Sequence, residues 1–256
     1  MDHAERKDLA HLVREADYVA SVQDLILEIE SIDDSALAVR LLKKAAARLG
    51  ADAAVFTSYV RDDVTMASYR YLLACDPTWG VQYAANAWCL DDPWLHYALY
   101  NSCPIRSEEL PELSSRERWV TEGAALFGFR STVIVPVPSH AAQSRVSVLC
   151  LGSRQQGYFH SDGYPTFRIL ARSLAMELGD WMFEYARVEL MTEARITDED
   201  LTLLRHQQQG HSSKIIAGAL HTEAKTIDCR FQRLSLKLGA ANRKGALRVA
   251  EIYGLI

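Results

Sequence analysis

The 256-residue sequence contains no run of 18 or more apolar residues, so it predicts no membrane-spanning helix. Its N-terminal stretch, MDHAERKDLAHLVRE, is charged throughout and lacks the apolar core of a signal peptide. The five cysteines form no C-x-x-C pair, which is typical of a reduced protein without disulfide bonds. These absences predict a cytoplasmic protein that has no membrane partner.

Sequence motifs of the common enzyme classes are missing as well. There is no phosphate-binding loop, no G-x-S-x-G nucleophile elbow and no H-E-x-x-H metal motif. The eight histidines are dispersed, with no i, i+4 pair and no nearby cysteine pair to complete a zinc site. We therefore predict a protein that is not an enzyme, with no catalytic residues, metal site or cofactor.

The charges that are present are unevenly distributed. The whole chain has a formal net charge of −5, which by itself argues against a nucleic-acid partner. The last 61 residues, however, hold nine Lys and Arg against six Asp and Glu, a net charge of +3. The preceding residues hold 19 against 27, a net charge of −8. A small basic segment after a larger acidic one indicates two functions, one of which faces phosphates.

The first 190 residues mix helical and strand-like segments. Capping signals and apolar spacing predict helices at 4–29, 35–48, 78–87, from Asp92-Pro93 onward, and from the Ser114–Glu117 capping box to about residue 127. Strand-like runs lie at 53–60, 65–74, 131–138 and 145–153, with a turn at Asp62-Asp63. Pro136 places its strand near a bulge or a sheet edge. The pattern predicts an α+β domain, an α-β-α sandwich around an antiparallel sheet.

A long amphipathic helix is predicted over residues 162–191. Its apolar positions recur at spacings of three and four residues: Leu170, Leu174, Leu178, Trp181, Tyr185 and Val188. Such a stripe is either a core face or a dimer face that also packs on the sheet, and the sequence leaves both interpretations open. The polar residues that follow predict a linker at 191–197.

Residues 198–256 contain four helical segments and no strand-like run. The predicted helices cover 198–208, 212–220, 223–238 and 242–253. Only His221-Thr222 separates the second from the third, and the third is basic, which is the helix-turn-helix pattern. We therefore predict a sensor and dimerisation domain at 1–190 and an all-α, four-helix helix-turn-helix domain at 198–256.

The C-terminal segment resembles the DNA-binding domain of LuxR-type transcription regulators. Matching positions occur in register at Thr197, Leu204, Gly210, Ser212, Ile216, Ala217, Leu220, Thr226, Ile227, Lys237, Leu238, Asn242, Arg243, Ala246, Ala250 and 254–256. The sequence departs from the family at Asp200 and Ile215, where Glu is usual, and at Arg230, where His is usual. The resemblance implies that the third helix of this segment is a recognition helix.

The recognition helix has two groups of candidate DNA-binding residues. Side chains that can pair with base edges face the groove by register at Lys225, Asp228 and Gln232, with Cys229 beside them. Contacts with the DNA backbone are expected from Thr226, Arg230, Arg233 and Lys237. For each residue taken singly, a solvated helix face is the alternative.

The N-terminal segment resembles the autoinducer-binding domain of the same family, the sensors of acyl-homoserine lactones. The motif is Trp-x3-Tyr followed by Asp-Pro, here Trp79, Tyr83, Asp92 and Pro93, and residues 127–137 match a further family segment. The resemblance implies that Trp79 donates to one ligand carbonyl, Asp92 accepts from the amide N–H and Tyr83 donates to the second carbonyl. The alternative is that both aromatic residues belong to the core and Asp92 only caps a helix.

Two positions near this motif depart from the family pattern. Ser107 stands where a second pocket Trp is usual, and Thr132 stands where Gly is usual. Trp88 and Trp94 flank the motif and are candidates to refill the space. We include Trp94, Ser107 and Thr132 among the predicted ligand-binding residues. Three possibilities follow. The protein binds acyl-homoserine lactones with an altered preference, it binds a different small molecule, or it binds no ligand at all.

These features predict a quorum-sensing-type transcription regulator. It would bind a palindromic site in double-stranded DNA as a homodimer, under the control of a small-molecule autoinducer. Two alternatives remain: a ligand-independent member of the family, and a protein that silences another regulator by dimerising with it. A phosphorylated receiver domain is disfavoured, because the acidic pair Asp62-Asp63 is not set among five alternating strands and helices.

Overall fold

The computed structural model describes residues 8–60, 68–138 and 144–256. The chain divides into two compact units, the first ending at Trp181 and the second beginning at Met182. The predicted turn at Asp62-Asp63, the first residues of the predicted helix at 4–29 and the start of the strand predicted at 65–74 lie outside the described residues.

The first unit combines helices with one sheet. Its helices are α1 (Leu9–Leu12), α2 (Tyr18–Leu27), α3 (Ser35–Leu49), α4 (Thr78–Ala85), α5 (Pro93–Tyr100), α6 (Ser115–Ala125) and the part of α7 (Tyr164–Glu193) that precedes the division. Short 3₁₀ turns lie at Glu28–Ser31, Trp88–Leu90 and Ser107–Glu109. Its strands are β1 (Ala53–Val60), β2 (Arg70–Ala74), β3 (Ile105–Arg106), β4 (Ser131–Val137) and β5 (Arg145–Ser153).

The strands form an antiparallel sheet in the order β2-β1-β5-β4-β3. Every residue of β4 and β5 is buried, so both faces of the sheet centre are covered. On one face α5 packs against β4 and β5. Val148 and Cys150 of β5 belong there to a buried cluster that also contains Trp94 of α5. On the other, a Cβ at Gly179 of α7 would lie 2.6 Å from Val137 Cγ1. The predicted α+β sandwich is confirmed.

Pro136 occupies a local edge position of this sheet. It pairs with Val148 of β5, while the two-residue strand β3 pairs with β4 only at Val133 and Ile134. A residue without a backbone N–H is tolerated where its strand has a neighbour on one side alone. The sequence predicted this edge position, although it did not predict β3 itself.

The prediction of a single helix over residues 4–29 is wrong. Among the described residues it is broken between α1 and α2. Arg48 of α3 reaches into the break, where its guanidinium lies 2.7 Å from Glu15 Oε2 and 2.9 Å from Asp17 Oδ1. These contacts hold the chain in a bend that local helix propensity does not anticipate. The next helix, predicted to start at residue 35, ends as expected at Gly50, whose φ is +91°.

The second unit contains the four predicted C-terminal helices. They are α8 (Asp198–Gln208), α9 (Ser213–Ala219), α10 (Ala224–Lys237) and α11 (Arg243–Ile252). Thr197 and Asp200 form a capping box, and Ser212 and Asn242 cap α9 and α11. Ile216, Ile227, Phe231 and Leu234 are buried in its core, and Met191 and Ile196, from the predicted linker, pack against that core.

The helix predicted at 162–191 is observed as α7. Leu170, Leu174, Leu178 and Trp181 are buried, which favours the core interpretation for this part of the stripe. Val188, farther along, is half exposed. A role of α7 in dimerisation therefore stays a prediction for its C-terminal end.

Candidate ligand-binding site

A cavity of about 340 Å³ lies in the first unit, between one face of the sheet and helices α4 and α5. Its size falls at the lower end of the range of small-molecule sites. Most of its wall is apolar or aromatic, with a few polar groups among the lining residues: Val55, Thr57, Tyr69, Tyr71, Leu73, Trp79, Gly80, Tyr83, Ala84, Ala87, Cys89, Asp92, Trp94, Leu95, Val148 and Cys150.

Helix α4 and the start of helix α5 place the predicted motif on the cavity wall. Trp79 and Tyr83 lie one turn apart on α4, with their ring centroids 5.4 Å apart. Asp92 caps α5 and Pro93 is the first helical residue, so the sequence fixes the carboxyl group at this helix start. Its Oδ1 accepts from the N–H groups of Trp94 at 2.8 Å and Leu95 at 3.4 Å.

The second oxygen of Asp92 faces Tyr83, whose hydroxyl donates to Oδ2 at 2.7 Å. Tyr69 and Thr57 also line the cavity, so two further hydroxyl groups lie on its wall. Burial raises the pKa of Asp92, and the hydrogen bonds from Tyr83, Trp94 and Leu95 oppose that rise. Burial also raises the pKa of Tyr83 and Tyr69, which therefore stay protonated donors.

The structure brings four of the six predicted ligand-binding residues together: Trp79, Tyr83, Asp92 and Trp94 all line the cavity. Ser107 and Thr132 are not among the lining residues, and they bond to each other. Ser107 Oγ accepts from the Thr132 N–H at 3.1 Å, and Thr132 Oγ1 donates to the Phe129 carbonyl at 3.2 Å.

Several cavity residues were missed by the sequence reasoning. Thr57, Tyr71 and Cys150 come from strands, where alternate side chains share one face, and Tyr69 immediately precedes β2. Period-two spacing places Val55 with Thr57 and Val148 with Cys150, so the alternation was a usable signal. The alternation alone does not indicate which face of the sheet is covered by helices α4 and α5.

Comparison with known proteins shows which family the chain belongs to. The autoinducer binding domain family matches residues 35–174, more than half of the chain. The chain belongs to this family. It is similar to the transcriptional activator protein VanR of Vibrio anguillarum, 22% identical over 70% of this chain and 74% of that protein. It is also similar to the activator AhyR of Aeromonas hydrophila, 24% identical over 71% of each chain.

Solved structures of LuxR-family proteins share the fold. The crystal structure of Escherichia coli SdiA has a TM-score of 0.72 at 16% identity and covers 94% of this chain and 99% of that one. Burkholderia cenocepacia CepR2 has a TM-score of 0.56 at 16% identity and covers 66% of this chain and 98% of that one. The protein is thus a transcription regulator of the LuxR family and not an enzyme. Within the described ranges, no helix is long and apolar enough to cross a membrane.

Trp88 of this LuxR-family chain packs behind the cavity and is absent from its lining residues. Its ring centroid lies 5.2 Å from that of Trp79 and 5.4 Å from that of Trp119. It approaches α6 so closely that a Cβ at Gly123 would lie 2.4 Å from Trp88 Cη2. Trp88 therefore supports Trp79 from behind and does not replace the missing wall at Ser107.

This contact yields a stability prediction for Gly123→Ala. The added methyl group should displace Trp88 and lower the free energy of unfolding by about 2 kcal/mol, as overpacking typically does. Urea denaturation of the full chain measures the change. Gly218→Ala is the matched control, because nothing lies within 4 Å of a Cβ there and helix propensity favours Ala. Equal midpoints for Gly123→Ala and the wild type would contradict the packing described.

Helix α10, the predicted recognition helix, presents most of its predicted DNA-binding residues to solvent. Exposed positions are Lys225, Asp228, Cys229, Gln232, Arg233 and Lys237, and half-buried ones are Thr226 and Arg230. Three of these eight residues contact other helices of the second unit. Lys237 Nζ lies 2.6 Å from Asp200, an Arg230 nitrogen lies 3.5 Å from Glu199, and Asp228 accepts from Ser213 Oγ at 2.5 Å.

Arg243, at the start of α11, links the other helices of this unit. Its guanidinium donates to Gln207 of α8, to Ser213 Oγ of α9 at 3.2 Å and to the His211 carbonyl at 3.1 Å. It also lies 4.4 Å from the ring centroid of Phe231 in α10. Since Ser213 in turn donates to Asp228, Arg243 supports the orientation of α10.

Proposed function

We propose that this protein binds an acyl-homoserine lactone in the cavity of its first unit and, as a homodimer, binds a palindromic promoter site through α10. The observation that carries the proposal is the buried Asp92 carboxyl group, held beside Trp79 and Tyr83 in a cavity whose wall is mostly apolar or aromatic. A buried carboxylate is costly unless it accepts hydrogen bonds, and an amide N–H of a ligand is a suitable donor.

The known relatives support this ligand class. The CepR2 structure is described as an N-acylhomoserine lactone dependent transcription factor, and one SdiA structure holds octanoyl-rac-glycerol. Both descriptions involve an acyl chain with a carbonyl group next to a polar head. The cavity offers the same division, with aromatic and aliphatic walls and one polar cluster around Asp92.

Mass spectrometry of co-purifying small molecules tests the ligand. Protein from cells supplied with acyl-homoserine lactones of several chain lengths should retain one of them. A salt-dependent shift of duplex DNA by the pure protein tests the second unit, because phosphate contacts release counterions. A protein that binds no duplex under any condition would contradict the regulator proposal.

A second candidate function is regulation without a ligand, by DNA binding or by inhibitory dimerisation with another regulator. It is favoured by the internal satisfaction of Asp92, whose two oxygens already accept from Tyr83, Trp94 and Leu95. The absence of Ser107 from the cavity wall points the same way. This candidate predicts DNA binding, or binding to a second regulator, that is unchanged by added acyl-homoserine lactone.

A further inference from the structure

Two histidines of the second unit, His206 and His211, face each other at the end of α8. Their Nδ1 atoms lie 2.9 Å apart and their ring centroids 5.2 Å apart, and both residues are half buried. At this distance one Nδ1 carries a proton and donates it to the other, which must be unprotonated. Within the described part of the chain, neither ring forms an ion pair with a carboxylate.

The C-terminal cap of α8 holds the two rings together. The His211 N–H donates to the His206 carbonyl at 3.1 Å. The Gly210 N–H donates to the Gln207 carbonyl at 3.0 Å, and Gly210 has a φ of +74°. This is the Schellman motif, in which an apolar contact commonly joins the two positions that His206 and His211 occupy. Two titratable rings stand here in its place, so the closure of this helix end depends on their charge.

The two protonation steps of this pair have opposite effects on the contact. A first added proton turns one ring into an imidazolium that donates to its neutral neighbour, and the nearby C-terminus of α8 favours the positive charge. A second added proton leaves two cationic rings whose N–H groups point at each other with no acceptor between them. The contact is therefore closed with up to one added proton and opens with two.

The helices that meet at this end of α8 supply further charges. They are Arg205 of α8, Lys214 of α9, Asp228 of α10, and Arg243 and Glu251 of α11. The Arg243 guanidinium lies beside the pair, since it donates to the His211 carbonyl at 3.1 Å, and it opposes the second protonation. The two carboxylates accept from other side chains, Asp228 from Ser213 and Glu251 from Gln208.

We propose that His206 and His211 form a pH-dependent switch for DNA binding, closed at neutral pH and opened in acid when both rings are protonated. The inference rests on the proposed function of α10. The His211 carbonyl accepts from Arg243. Arg243 also donates to Ser213, which donates to Asp228 of α10. Opening the end of α8 displaces His211 and so weakens the bonds that fix the orientation of α10.

His211→Asn separates the contact from its charge. The Asn side chain offers a donor and an acceptor as far from the backbone as the histidine Nδ1, but it does not become charged, so its contact with His206 persists in acid. DNA affinity is measured for the full chain by fluorescence anisotropy, with a duplex that the wild type selects from a random pool. The ratio of the variant's affinity to that of the wild type should be about one at pH 7.5 and about ten at pH 5, the effect of one lost hydrogen bond.

His221→Asn is the matched control in the same unit. His221 is exposed and has a φ of +49°, a conformation that Asn tolerates well. Its replacement should leave the ratio of affinities near one at both pH values. Because each ratio compares two proteins at one pH, it excludes the contributions of the titrating groups that both proteins share.

Nuclear magnetic resonance of the histidine rings tests the pair without DNA. The wild-type signals of His206 and His211 should titrate in two separate steps, and His206 in His211→Asn should titrate in one. Independent titration of the two rings, or a ratio of affinities that stays at one at pH 5, would show that the switch is wrong although α10 binds DNA. If the wild type binds no duplex at any pH, the proposed function fails and the switch with it. Should His211→Asn fold poorly by circular dichroism, His206→Asn replaces it, and the same ratio decides.

Discussion

Asp92→Asn should abolish retention of acyl-homoserine lactones, with affinity lowered about a hundredfold or more. The variant places an amide where the charged carboxylate stands, so a ligand N–H either meets a second donor or loses a charge-assisted bond. An unsatisfied buried donor beside a lost charged acceptor costs about 3 kcal/mol, which corresponds to about two orders of magnitude in affinity. Calorimetry and co-purification from supplied cells both measure the loss.

The same variant should keep its fold. Asn caps helices about as well as Asp, so the bonds from the Trp94 and Leu95 N–H groups can persist through Oδ1. Because burial raises the pKa of Asp92 above its unfolded value, the wild type loses stability as pH rises through that pKa. The Asn variant has no such loss, so its stability relative to the wild type should increase from acid to neutral pH in urea denaturation.

Asp91→Asn is the matched control for this prediction. Asp91 precedes Asp92, is absent from the cavity lining and lies 3.8 Å from Arg116. Its replacement should leave ligand retention at the wild-type level. Equal retention by Asp92→Asn and Asp91→Asn would show that the carboxyl group of Asp92 serves only as a helix cap.

Local signals in the sequence predicted the part of the site that comes from helix starts and helix spacing. Trp79 and Tyr83 share a face because they are four residues apart, and Asp92-Pro93 is a strong helix start. The opposite wall could not be predicted in this way. Tyr71 and Leu73 join the cavity only because β2 pairs with β1 and their shared face lies beneath α4 and α5.

Long-range contacts explain the other differences between sequence and structure. The bend between α1 and α2 depends on Arg48, more than 30 residues away, and such ion pairs leave no mark in local propensity. Lys237 is a second example of an ion pair that local propensity does not reveal. Its position and charge predicted a contact with a DNA phosphate. Its ammonium group lies 2.6 Å from Asp200, so contact with a phosphate would compete with an existing ion pair.

Arg243→Ala should lower the affinity of the protein for duplex DNA about fiftyfold without involving a contact between Arg243 and DNA. Loss of its bonds to Ser213 and the His211 carbonyl, and of its contact with the Phe231 ring, removes about 3 kcal/mol from a small helical unit. Asp228 would lose Ser213 as an ordered hydrogen-bond partner. Helix α10 would then lose its fixed orientation. Arg243→Lys should fail to restore binding, because an ammonium group lacks the planar set of donors.

Salt dependence distinguishes this positioning role from a phosphate contact. If Arg243 acts through protein contacts, Arg243→Ala should shift the plot of log affinity against log salt concentration downward and leave its slope unchanged. Arg233→Ala is the comparison, since Arg233 is exposed on α10 and its loss should reduce the slope by about one. A reduced slope for Arg243→Ala, or full binding by Arg243→Lys, would instead place the guanidinium at a phosphate. The positioning role would then be wrong, and the structural bonds of Arg243 would have to break when DNA binds.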